Sequence, residues 1–120
     1  MSAAVCAVLA GATLLISPGP FTLAWTHSVQ HIRWEEDWQV RDGQLVITAA
    51  RVRGTGAGME IPAGAVLHDG AWHYRPGLPA QRSVRLANSA YGGAYEICHG
   101  NTCSQLPQAD GELALQACED

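Results

Sequence analysis

Phe21-Thr22-Leu23-Ala24-Trp25-Thr26-His27-Ser28-Val29, then Trp34-Glu35-Glu36-Asp37-Trp38-Gln39-Val40, then Asp42-Gly43: these three pieces decide the fold. The first alternates, with its large side chains at odd positions. The second alternates too, with Trp34, Trp38 and Val40 at even positions. A period of two is what a strand with one buried face produces. Asp-Gly between alternating runs is a strong hairpin signal, because both central residues of the tight turn need positive φ. Leu45 to Val52 then reads as a third, more apolar strand. Val66 to His68 and Ala71 to Tyr74 flank a second Asp-Gly at Asp69-Gly70. Ser83 to Asn88 alternates weakly, and Tyr95 to Cys98 with Cys103 to Leu106 reads as a last hairpin. The expected fold is all-β: an antiparallel β-sandwich or small barrel of about eight short strands.

Parity places the polar residues. If residues 21–29 pair with 34–40 through a two- or four-residue loop, odd positions on the first strand share a face with even positions on the second. That face holds Phe21, Leu23, Trp25, His27, Trp34, Glu36, Trp38 and Val40. The Asp42-Gly43 turn adds Leu45, Ile47, Ala49 and Arg51. Three of the four Trp lie on it, so it is the core face. A carboxylate there is costly unless paired. The expectation is therefore a polar cluster of His27, Glu36 and Arg51, with Ser28 adjacent in sequence. Its plainest role is an internal ion pair that fixes register. Its sharper roles are ligand or partner binding, or a small hydrolase using His27, Ser28 and Glu36. Ser28 points away from His27 on a regular strand, and no Gly-x-Ser-x-Gly elbow exposes a serine, so catalysis is the weaker reading and no residue is assigned as catalytic.

Several other motifs favour packing over chemistry. Glu35, Asp37 and Gln39 read as a solvated face. Gly54-Thr55-Gly56-Ala57-Gly58 lacks the strand, helix and Lys-Ser/Thr that a phosphate loop needs. His68 and His73, one even and one odd, read as lying on opposite faces. No cofactor and no metal site is expected.

The 120 residues carry 7 Arg, no Lys and 11 acids, for a formal net charge of −4. That excludes a basic surface for nucleic acid, and 48% hydrophobic content excludes disorder. No charged side chain precedes Arg33. Ala3 to Ile16 is an apolar run that a helix would span in about 21 Å, short of a ~30 Å hydrocarbon core. Ser17-Pro18-Gly19-Pro20 ends it. This is the pattern of a secretory leader, without its usual basic start. The expected organisation is residues 1–20 as signal peptide or N-terminal anchor, 21–108 as the β domain, and 109–120 as a C-terminal tail, helical or frayed. Membrane contact follows only if the first segment is retained. Cys98 and Cys103 bracket four residues and would face each other across a hairpin at disulfide distance. Zinc wants four ligands, and there is no second Cys pair. A disulfide favours an oxidising compartment, here the periplasm. With Cys6 in the leader, Cys118 is left over, either free or paired with a partner.

The His-Ser-Val block at residues 27–29, the Trp-Glu-Glu block at 34–36, Gly56-Ala57-Gly58-Met59, Tyr74-Arg75-Pro76-Gly77-Leu78-Pro79 and the Cys98-to-Cys103 element together resemble a bacterial family known as domain of unknown function 1850. The resemblance spans Phe21 to Leu106. It implies a small exported protein, often encoded beside TAXI-type TRAP transporters, so the implied partners are transporter subunits. It carries no catalytic residues across. The function expected is a periplasmic accessory or binding domain, not an enzyme, with a small hydrolase or a membrane-anchored structural protein as alternatives.

Overall fold

The computed structural model describes residues 3–26, 32–53, 63–86, 94–106 and 112–119. Among these the chain forms eleven strands and no helix: β1 (Ala3–Leu9), β2 (Ala12–Pro18), β3 (Phe21–Thr26), β4 (Arg33–Arg41), β5 (Gln44–Arg53), β6 (Val66–His68), β7 (Ala71–Tyr74), β8 (Ser83–Leu86), β9 (Glu96–His99), β10 (Thr102–Gln105) and β11 (Leu113–Glu119). They make two antiparallel sheets, of order β2-β1-β11-β8 and β10-β9-β3-β4-β5-β7-β6. The sheets face each other as a sandwich, not a closed barrel. They are tied at one margin, where Leu45 and Gln81 exchange backbone hydrogen bonds of 2.7 and 2.9 Å.

The eight strands expected from the sequence are β3 to β10. The three additions come from segments read otherwise. The apolar start that reads as a leader or anchor takes the form of the β1–β2 hairpin. Ala10 and Gly11 supply its turn at φ 49° and 84°, the same positive-φ pair that Asp42 and Gly43 supply between β4 and β5. Ala-Gly carries no Asx signal, so this turn is not legible as the other two are. Nor does β1 alternate: Ala4, Val5, Cys6 and Ala7 are all buried, so the strand reads as one continuous apolar run. The expected tail is corrected outright, because Leu113–Glu119 is a strand lying between β1 and β8. Leu113 and Leu115 point into the core on its period-two face. Cys118 is not left over; it is bonded to Cys6, with Cα atoms 5.9 Å apart.

The core lies between the sheets. Val5, Ala7, Leu113 and Leu115 meet Phe21, Leu23, Trp38, Leu45, Ile47 and Ile97, none more than 6% exposed. Each fully buried leucine contributes about 1.5–3 kcal/mol relative to exposure. β1 and β11 therefore supply four of these ten core side chains, although neither is in the part of the sequence that announces the fold.

Candidate binding cleft

β3 and β4 pair with Phe21 opposite Trp38, Leu23 opposite Glu36, and Trp25 opposite Trp34. The parity expectation for these strands is met, and the face is richer than expected. Trp72 of β7 stands opposite Val52, which stands opposite Trp34. All four Trp of the chain thus share the inward face of the seven-stranded sheet. Trp25 stacks on Trp34 with centroids 6.0 Å apart and an interplanar angle of 7°. Tyr95 tilts against Trp25 at 5.6 Å. Phe21 and Trp38 stack at 6.4 Å.

Glu36 lies in the middle of this aromatic face. Its neighbours across the sheet are Leu23 on one side and the small Ala50 on the other, with Tyr74 beyond. The Trp38 indole N–H donates to its Oε1 at 3.2 Å. Burial pushes its carboxyl above the ordinary 4.5, and the Trp38 hydrogen bond only partly opposes this. Tyr74 is pushed up as well, first by burial and then by the Glu36 charge. Among the described residues Glu36 makes no ion pair. In front of it a cleft of about 260 Å³ opens between the sheets, with Trp25, Trp38 and Tyr95 on one wall and Val84, Arg85 and Leu86 of β8 on the other, the exposed Arg85 guanidinium being paired with Glu112 at 2.8 Å.

Arg51 is not on this face, and that corrects the expected cluster. Asp37 stands opposite Ala49 but Trp38 stands opposite Ile47, so Thr48 is an extra residue in β5. This β-bulge shifts the phase by one. Leu45 and Ile47 point inward before it, and Ala50 and Val52 point inward after it. Arg51 goes to the outer face. There its Nη1 and Nη2 donate to the two oxygens of Asp37 at 2.7 and 2.9 Å, and its Nε to Glu35 at 3.3 Å. The Thr22 hydroxyl also donates to Asp37, at 2.8 Å. Arg33 bridges Glu35 and Glu96 at 3.4 and 3.3 Å. The expected solvated face is therefore a part-buried ionic grid, with the Glu35 side chain only 16% exposed. The bidentate Arg51 contact holds the Asp37 carboxyl below its ordinary value, and Asp37 in turn raises Arg51.

The remaining sequence candidates divide as follows. His27 and Ser28 lie outside the described residues, as does Gly54-Thr55-Gly56-Ala57-Gly58. Leu23 occupies the position opposite Glu36 that the short-loop registers reserve for His27 or its neighbours. The reason is that the stretch between paired Thr26 and Arg33 is six residues long, not two or four. Cys98 and Cys103 are directly opposed and bonded, as expected, with Cα atoms 4.0 Å apart. His68 and His73 prove to share a face, because the two-residue Asp69-Gly70 turn pairs even positions with odd ones; their rings lie 5.7 Å apart. Tyr74 and Trp72 were missed as site residues. The second Asp-Gly turn predicts β7, but nothing local in the sequence says that β7 extends the same sheet beside β5.

Fold and cleft together define a small, disulfide-clipped, two-sheet β-sandwich with an aromatic seat around one carboxylate. The chain belongs to the family described as domain of unknown function (DUF1850), whose model matches residues 21–106. The match spans β3 to β10 and leaves β1, β2 and β11 outside it. No curated protein and no solved structure matches the chain. Two disulfides suit an oxidising, extracellular-type environment. No helix among the described residues is long and apolar enough to cross a membrane.

Proposed function

We propose that this chain is a non-catalytic binding module and that the cleft around Glu36 is its ligand seat. The observation that carries the reading is a half-buried carboxylate, without an ion pair among the described residues, set on the face that collects every Trp of the chain. A carboxylate there, with the Trp38 N–H as donor but no cation paired to it among the described residues, is costly, and a bound cation offsets that cost. Aromatic faces around a negative charge are the means by which small organic cations are recognised, through cation–π attraction and charge pairing. A cleft of about 260 Å³ takes a ligand of a few heavy atoms. The ligand class is therefore a small organic ammonium. The workplace is the periplasm, supported by the two disulfides, and the setting beside a TRAP-type transporter is supported by the family resemblance alone. In that setting the module is an accessory to solute uptake, presenting or sensing a solute.

Calorimetric titration with tetramethylammonium, and separately with acetate, tests the seat. Saturable binding of the cation, no binding of acetate, and at least about tenfold weaker binding by Glu36→Gln are expected, since a sheltered charge pair with cation–π contacts is worth about 1.4 kcal/mol or more. No saturable binding of the cation, or equal binding by Glu36→Gln, overturns the reading. Co-purification of the tagged chain with the subunits of a neighbouring transporter tests the setting.

A further inference from the structure

The two disulfides do different work. Cys6–Cys118 spans 112 positions and Cys98–Cys103 spans 5. Closing so short a loop removes little freedom from the unfolded chain. β9 is also held independently of the bond, by its ladders to β3 and β10. Opening Cys98–Cys103 therefore leaves the fold standing. Cys103 is exposed, so an attacking thiolate can reach its sulfur.

What surrounds the pair is a donor set. Glu96 and Cys98 are two apart on β9 and share a face, and Cys103 stands opposite Cys98. A carboxylate oxygen of Glu96 and the two sulfurs lie within 4.8 Å of one another. Two thiolates and a carboxylate are ligands zinc accepts, at about 2.3 Å to sulfur and about 2.0–2.2 Å to oxygen. Tetrahedral zinc holds two such sulfurs about 3.8 Å apart. Opposed cysteines with Cα atoms 4.0 Å apart reach that spacing by side-chain rotation. The exposed side at Cys103 leaves a fourth position for water.

We propose that Cys98–Cys103 is a reducible site, and that the dithiol it yields binds one Zn²⁺ together with Glu96. A dithiol reductant supplies the electrons. Its first thiolate bonds to Cys103 Sγ and releases Cys98 as thiolate. Its second thiol then displaces Cys103, and the reductant leaves as a disulfide. Two electrons and two protons pass to the cysteines, and Zn²⁺ displaces those protons as it binds. Glu96 exchanges its 3.3 Å contact with Arg33 for the metal.

The test uses the full chain, treated with increasing dithiothreitol, with free thiols trapped and assigned by mass spectrometry, and then Zn²⁺ added against a chromophoric chelator. Cys98 and Cys103 should be trapped at lower reductant than Cys6 and Cys118. The reduced chain should bind one Zn²⁺, and the oxidised chain should bind none at that affinity. Glu96→Gln, which leaves both disulfides in place, should weaken the reduced chain's zinc affinity by about tenfold or more. Cys98→Ser/Cys103→Ser should abolish it. Opening of Cys6–Cys118 first, a reduced chain that binds no zinc, or undiminished binding by either variant overturns the proposal. The cation titration at Glu36 is independent of every one of these outcomes.

Discussion

Glu36 and Asp37 are neighbours in sequence with opposite electrostatic fates. Alternation sends Glu36 inward to the Trp face and Asp37 outward to Arg51. Burial raises the Glu36 carboxyl above 4.5, so its folded form holds a proton more tightly than the unfolded chain does. The stability this lends is present below the unfolded value and is lost as pH rises through the raised folded value. Glu36→Gln removes that loss, so at pH 7 the variant should melt higher than the parent, and their melting temperatures should converge toward pH 4. The outcome follows from Arg51 being on the other face, where Glu36→Gln leaves no buried cation unpaired. Asp37 has the reverse sign. Its folded carboxyl sits below the ordinary 3.8, so its contribution is present above that value and is lost as pH falls through the depressed one. Asp37→Asn should cost about 1–2 kcal/mol at pH 7 in denaturant unfolding, because charged hydrogen bonds are worth about 1.5–3 kcal/mol when sheltered and this one is part-exposed. The cost should vanish in strong acid.

At the scale of elements, the β4–β5 pair shows what was legible and what was not. Parity alone put Phe21, Leu23, Trp25, Trp34, Glu36 and Trp38 on one face, and the register agrees. The same count failed after Thr48, since a bulge changes parity without changing composition. One signal was present. Leu45, Ile47 and Arg51 are odd while Val52 is even, and a single regular strand cannot bury Val52 with Leu45 unless its phase breaks between them. Ala49 and Ala50 at the break suit either face, so the site of the shift was hidden. Deleting Thr48 takes out the extra residue and makes the strand regular, with Leu45, Ile47, Ala50 and Val52 still inward and Arg51 still outward. Cooperative thermal unfolding by circular dichroism is the expected result. A variant that no longer unfolds cooperatively would contradict the bulge. β1 and β11 were illegible for a different reason. β1 is buried on both faces and so lacks alternation, and the pairing of β1 with β11 joins residues more than a hundred positions apart.

At the scale of the molecule, the chain closes on itself. β1 and β11 pair over seven residues, and Cys6–Cys118 crosses between them. The chain-entropy estimate gives about 5 kcal/mol for a loop of that size, against about 2 kcal/mol for the Cys98–Cys103 loop. Chemical denaturation of Cys6→Ser/Cys118→Ser and Cys98→Ser/Cys103→Ser should reproduce that order, with the first pair the more damaging. The even pairing of four cysteines also replaces the leftover Cys118 of the sequence reading. The four-stranded sheet that this closure completes is what makes a cleft at all: β8, hydrogen-bonded to β11, presents Val84 and Leu86 across from Trp25 and Trp38. Without β11 the Trp face has no opposite wall at that end.

The central claim is that Glu36 is a carboxylate held in an aromatic seat and ready for a cation. The most direct measurement is its own titration, followed by NMR through its side-chain carboxyl carbon, with and without tetramethylammonium. The account predicts a midpoint above 4.5 in the free protein that moves downward when the cation is present, while Asp37 stays low and unmoved. A Glu36 midpoint at the ordinary value, or a raised one that the cation leaves in place, would contradict it.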